Sequence, residues 1–202
     1  MEDSLEEIAR EIRSCRKCNL WLTKKNYVPG EGSENAGIMF IGEAPGKEED
    51  EQGRPFVGNA GKFLTALIEK NLGLRREDVY ITNILKCRPP NNRDPDEEEV
   101  DACFPYLERQ ISVIKPEIIA CLGRHSARTV FEHFGIPFTT ISRERGLMRE
   151  KIVDGRIIRF IATYHPAAAL YKPPLKETIE EDFKKLRNFV KKKNPTLLDF
   201  FS

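Results

Sequence analysis

From Gly37 to Gly46 the chain reads Gly-Ile-Met-Phe-Ile-Gly-Glu-Ala-Pro-Gly, and no other stretch narrows its possible folds as much. Residues able to fill a buried strand run directly into glycines, a proline and a carboxylate, and an acidic run (Glu48, Glu49, Asp50, Glu51) follows as a loop. A strand that ends in a Gly-rich turn is where an open α/β sheet places its ligand, just beyond the strand's carboxyl end. The same turn also suits any βα connection that needs glycine at positive φ.

Three further strand-like segments occur at 79–85, 117–123 and 157–163, separated by helical apolar stripes. The clearest stripe follows a capping box, Asp96 with Glu99, and carries Val100, Cys103, Phe104, Leu107, Ile111 and Ile114. This alternation implies an α/β fold: a three-layer αβα single domain around a mainly parallel four-stranded sheet. At 202 residues the chain is long enough for one such domain and short for two. The domain is placed at 1–192, with a tail at 193–202.

No window approaches a membrane span, and the first residues are acidic where a signal peptide would be basic, so an intracellular, cytoplasmic protein is expected. Lys plus Arg (33) nearly balances Asp plus Glu (32), so any nucleic-acid contact must come from local patches. Charged residues make up 32%, above the usual quarter, which leans towards the ion-pair-rich surface of a thermophile.

Several residues at strand ends and loops can carry chemistry. Phe56 lies among the turn residues Gly53 to Gly61, where it either tucks onto the core or offers a stacking face to a planar ring. Asn83 closes the 79–85 segment and combines a donor with an acceptor, as reading an amide-like ring edge requires. The loop after it brings three cations, Lys86, Arg88 and Arg93, and His165 opens the loop after the last strand. Five cysteines in an intracellular chain point to a metal or redox role. Cys15 and Cys18, two residues apart at a helix end, have a local geometry that zinc and iron–sulfur sites share. Cys121 falls inside a strand and is assigned to the core.

Taken together, the Gly42-Glu43-Ala44-Pro45-Gly46 turn, Thr82-Asn83, the cysteines and His165-Pro166-Ala167-Ala168-Ala169-Leu170 resemble the family 4 uracil-DNA glycosylases, from Cys15 to about Tyr171. The related family 5 enzymes lack the carboxylate present here as Glu43. The resemblance implies a structural four-iron, four-sulfur cluster on Cys15, Cys18, Cys87 and Cys103, although four thiolates also satisfy zinc. It implies that a uracil flipped out of DNA stacks on Phe56, is read by Asn83 and receives a hydrogen bond from His165, with Glu43 and Ala44 holding its other side. Glu43 and Glu49 are candidates for orienting water, because Ala44 stands where the best-known uracil-DNA glycosylases have an aspartate. Lys86 and Arg88 would meet DNA, Leu170 and Tyr171 would fill the vacated stack, and a bulky group would exclude thymine.

The tail resembles a sliding-clamp-binding peptide, with Leu197, Phe200 and Phe201 as its apolar anchors. The expected protein is a monomeric, monofunctional glycosylase that initiates base excision repair on single- or double-stranded DNA. Its rivals are a non-catalytic, metal-stapled DNA-binding module and a glycosylase of the same superfamily for another deaminated base. One pocket holding Phe56, Asn83 and His165 separates an enzyme from the binding module.

Overall fold

The computed structural model describes residues 3–190. Leu197, Phe200 and Phe201, and with them the clamp-binding reading, lie outside the described residues. Six strands form one mixed sheet: β1 (Glu31–Gly32), β2 (Ile38–Gly42), β3 (Tyr80–Asn83), β4 (Ile118–Leu122), β5 (Met148–Val153) and β6 (Arg156–Thr163). Their order is β1-β3-β2-β4-β6-β5. The four inner strands run parallel and both edge strands antiparallel to their neighbours. The expected four-stranded sheet is therefore the centre of a wider, mixed one.

The two additional strands escape a search for apolar runs for physical reasons. β1 has only two residues. β5 reads Met-Arg-Glu-Lys-Ile-Val and is largely solvated, as an edge strand should be. It pairs with β6 across Asp154-Gly155, both at positive φ (49° and 73°), the backbone of a two-residue type I′ hairpin turn.

Among the described residues the α-helices are α1 (Leu5–Arg13), α2 (Lys47–Gln52), α3 (Asn59–Leu67), α4 (Glu97–Ile114), α5 (Arg124–His133), α6 (Ile141–Glu144), α7 (Pro166–Tyr171) and α8 (Leu175–Arg187). The acidic run expected to be a loop is the body of α2, because Glu48, Glu49 and Asp50 suit the positive end of a helix and Gly53 at φ 69° closes it.

The inner strands alternate between two cores. Met39, Ile41, Ile119, Cys121 and Phe160 face α1, α4 and α5, whereas Ile38, Phe40, Ile81 and Ala120 face α3 and α8. This is the expected three-layer arrangement, with strands buried on both faces. Phe40 and Phe183 stack nearly parallel, 5.7 Å between centroids, and seat α8 on the sheet. Cys121 is fully buried, as expected. Parallel register brings the carboxyl ends of the inner strands to one edge, where Gly42 pairs with Asn83 and Leu122 with Thr163.

Candidate active site

Gly42 is the last residue of β2, and its missing side chain makes the site possible. A Cβ there would lie 2.6 Å from Phe56 Cζ and would also strike Asn83 Oδ1, so the ring and the amide both crowd the same point. We expect Gly42→Ala to displace one of them and, since misplacing a reacting group by about 1 Å costs roughly 100-fold, to slow any reaction here by that order. Circular dichroism should show the fold retained, and an unchanged rate would contradict this geometry.

Asn83 is 1% exposed, and its Oδ1 has no hydrogen-bond partner within the protein. A buried acceptor left this way costs about 1–3 kcal/mol, which a ligand N–H recovers.

Phe56 sits at φ 50° and is buried. Its loop is clamped from two sides. Arg76 donates from Nη1 to the Phe56 carbonyl at 3.0 Å and from Nη2 to the Pro55 carbonyl, while Glu31 pairs with the same guanidinium at 2.8 Å. Glu49 Oε1 accepts from the backbone N–H groups of Val57 (2.9 Å) and Gly58 (3.0 Å). Gly61 leaves room for the Phe56 backbone, which a Cβ would strike. The ring so held lies 5.6 Å from the His165 ring, with 27° between their planes.

His165 is the N-cap of α7, and its Nδ1 accepts from the Ala167 N–H at 3.1 Å. Burial pushes its pKa down to about 4, against the opposing charge of Glu49. At neutral pH the ring is therefore uncharged, with its proton on Nε2, where it can donate. Because the folded pKa is depressed below 6.5, His165 contributes stability that is present above pH 6.5 and is lost as pH falls towards about 4. Wild-type Tm should fall more steeply across that window than the Tm of His165→Asn; parallel curves would refute the depressed value.

Phe56, Asn83 and His165 thus lie close together at one strand end, although no cavity among the described residues is lined by all three. The other candidates are placed differently. The Glu43 carboxylate turns away from this site to within 4.8 Å of Asp94 and His125, in a cleft of about 620 Å³ also walled by Ile84, Phe104 and His133. Burial raises the Glu43 pKa, with His125 and Arg124 opposing and Asp94 adding to the rise. Ala44 is partly buried against the α4 side of the core.

Lys86 does not reach the surface where DNA would lie. It is 1% exposed, and its Nζ donates to Thr82 Oγ1, the Asn83 carbonyl and Gln110 Oε1 at 2.7, 2.7 and 2.9 Å. Burial lowers its pKa to about 7, opposed by the charge of Cys103, but its three acceptors are filled only by the protonated ammonium, which the hydrogen-bond geometry therefore favours. Arg88 is partly exposed and donates to Asn92 Oδ1 at 2.8 Å. Leu170 and Tyr171, one turn beyond His165, are 50% and 84% exposed.

Cys15, Cys18, Cys87 and Cys103 line one small apolar pocket with Ile12, Leu20 and Tyr27. Burial, reinforced by neighbouring sulfurs, raises the pKa values of Cys18, Cys87 and Cys103, the last to about 11. The Lys86 backbone N–H donates to Cys103 Sγ at 3.3 Å.

The sequence reading missed Gly42 as a space-maker, Arg76 as the clamp on the Phe56 loop, and the Gln110 partnership with Lys86. The first was visible as a glycine ending an apolar run. The other two join residues 20 and 24 positions apart and leave no local pattern.

A planar ring, an unpartnered amide oxygen and a neutral histidine donor meet at this strand end. The family model described as the uracil DNA glycosylase superfamily matches residues 29–191, and the chain belongs to that superfamily. It is 57% identical over 198 residues to the type-4 uracil-DNA glycosylase of Archaeoglobus fulgidus, covering 98% of this chain and 99% of that one. With the Thermotoga maritima protein of the same description it shares 39% over 193 residues, 95% of this chain and 97% of the other. A type-5 uracil-DNA glycosylase from Pyrobaculum aerophilum is 31% identical over 170 residues, 77% of this chain and 72% of that one. Within the superfamily the chain is a type-4 member. Among the described residues no helix is long and apolar enough to cross a membrane.

Proposed function

We propose that the chain removes uracil from DNA by hydrolysing its N-glycosidic bond, leaving an abasic site. The observation that carries this reading is the buried Asn83 Oδ1, unpartnered within the protein beside a fixed aromatic ring. Uracil N3–H is the donor it lacks, and the Asn83 amide N–H₂ then faces O4. The nucleotide must leave the stack to reach this site, at a cost of a few kcal/mol, and Phe56 restores a stacking surface to the flipped base. Leu170 and Tyr171, exposed on the short helix that His165 caps, would fill the gap in the duplex. Arg88 supports the nearby backbone.

As the C1′–N1 bond breaks, its electron pair passes into the uracil ring and negative charge builds on O2. His165 Nε2–H donates there, and as a neutral donor it stabilises the anion without competing for the proton. The sugar left behind is cationic; a water oxygen bonds to C1′ and releases a proton to solvent. Of the two carboxylates, Glu49 would balance that cation, since Glu43 faces the other cleft. Through their backbone, Glu43 and Ala44 flank the base.

The cysteines fit a four-iron, four-sulfur group. Their four thiols line one small apolar pocket, and four thiolates are the donor set that such a group takes. Such a group, when bound, supplies a cross-link between the α1 end, the Cys87 loop and α4 rather than a chemical step.

The test is a labelled oligonucleotide with one uracil, opposite guanine and in single strand, treated with alkali after incubation. Cleavage at uracil and not at thymine is expected. Intact DNA from correctly folded protein would overturn the reading.

A further inference from the structure

We propose that Lys86 is a positioning residue for excision, its buried ammonium fixing the backbone of Asn83 and so the amide that meets the base. The inference rests on the base contact given to Asn83 above. The three ammonium N–H groups have three acceptors: the Asn83 carbonyl (2.7 Å), Thr82 Oγ1 (2.7 Å) and Gln110 Oε1 (2.9 Å). Beyond Asn83 the strand ladder ends, and the peptide that follows is gripped at both ends. Lys86 takes its carbonyl, and its N–H, that of Ile84, donates to the Gly42 carbonyl at 3.0 Å.

The acceptors are themselves anchored. Gln110 Nε2 donates to the Pro29 carbonyl (2.8 Å) and to the Tyr80 hydroxyl (3.1 Å), and Thr82 Oγ1 donates to the same Pro29 carbonyl (3.0 Å). One side chain thereby ties the end of β3 to α4 and to the connection before β1. Packing alone does not require this. An apolar chain of similar length would fill the space without burying a charge, but it could not hold the Asn83 carbonyl. A site group must stay within about 0.5 Å of its working position, which is the tolerance such a grip secures.

The test measures single-turnover excision of uracil with enzyme in excess, together with affinity for abasic-site DNA. Lys86→Met should lose about 10- to 100-fold in rate. Its affinity for abasic DNA should stay within about threefold, and the visible absorbance of the cysteine-bound group should persist. In an Asn83→Ala background the same change should cost less than about threefold, because the two act as a unit. Thr82→Val, which keeps the ammonium and removes one acceptor, should lose at least about threefold and serves if Lys86→Met folds poorly. Wild-type rates in both single variants would overturn the proposal. So would a loss of DNA affinity equal to the loss of rate, or full additivity with Asn83→Ala. Wild-type excision by Asn83→Ala alone would instead remove the base contact on which the inference rests.

Discussion

We expect His165→Ala to lower the single-turnover rate of uracil excision by about 10²- to 10³-fold, the usual effect of deleting one donor aimed at developing negative charge. The size of the loss follows from how the donor is prepared. Nδ1 is engaged by the Ala167 N–H, so the proton resides on Nε2, and burial keeps the ring neutral. A donor already oriented needs no reorganisation as charge appears on O2. Affinity for abasic DNA should change little, because the contact strengthens only as the bond breaks. His165→Gln, which can still donate, should recover part of the rate. A His165→Ala enzyme with the wild-type rate would remove leaving-group stabilisation from the mechanism.

Cys103→Ala should have the largest effect on stability. Cys18 and Cys87 are separated by 68 residues, and a group bound across the four sulfurs closes that loop. In the chain-entropy model a cross-link of this span is worth about 4 kcal/mol. For a domain of this size each kcal/mol moves Tm by about 2–4 °C, so a fall of roughly 10–15 °C is expected, with loss of the visible absorbance. Cys121→Ala is the control. Its thiol is just as buried but lies inside β4, outside the four-cysteine pocket, so it should cost about 1–2 kcal/mol through packing and keep the absorbance. Equal effects from the two changes would contradict a cross-linking role for Cys103.

The inner sheet was legible because its strands are buried on both faces and read as uninterrupted apolar runs, as Ile38 to Ile41 and Ile118 to Leu122 do. The edge was not: β5 is solvated, and its signal was the Asp154-Gly155 turn rather than its own residues. At the site, Asn83 and His165 could be placed because strand ends are where α/β ligands bind. The direction of the Glu43 side chain could not, since one step along the turn sends it towards Asp94 and His125. Lys86 misled for a related reason. In sequence it is a cation in a polar loop, and only the fold shows it passing back beneath β3 to Gln110.

The most direct test of the central claim is the crystal structure of the protein with uracil bound. The ring should lie against Phe56, with N3–H within hydrogen-bond distance of Asn83 Oδ1 and O2 facing His165 Nε2. Uracil found instead in the larger cleft between Glu43, His125 and His133 would contradict the account.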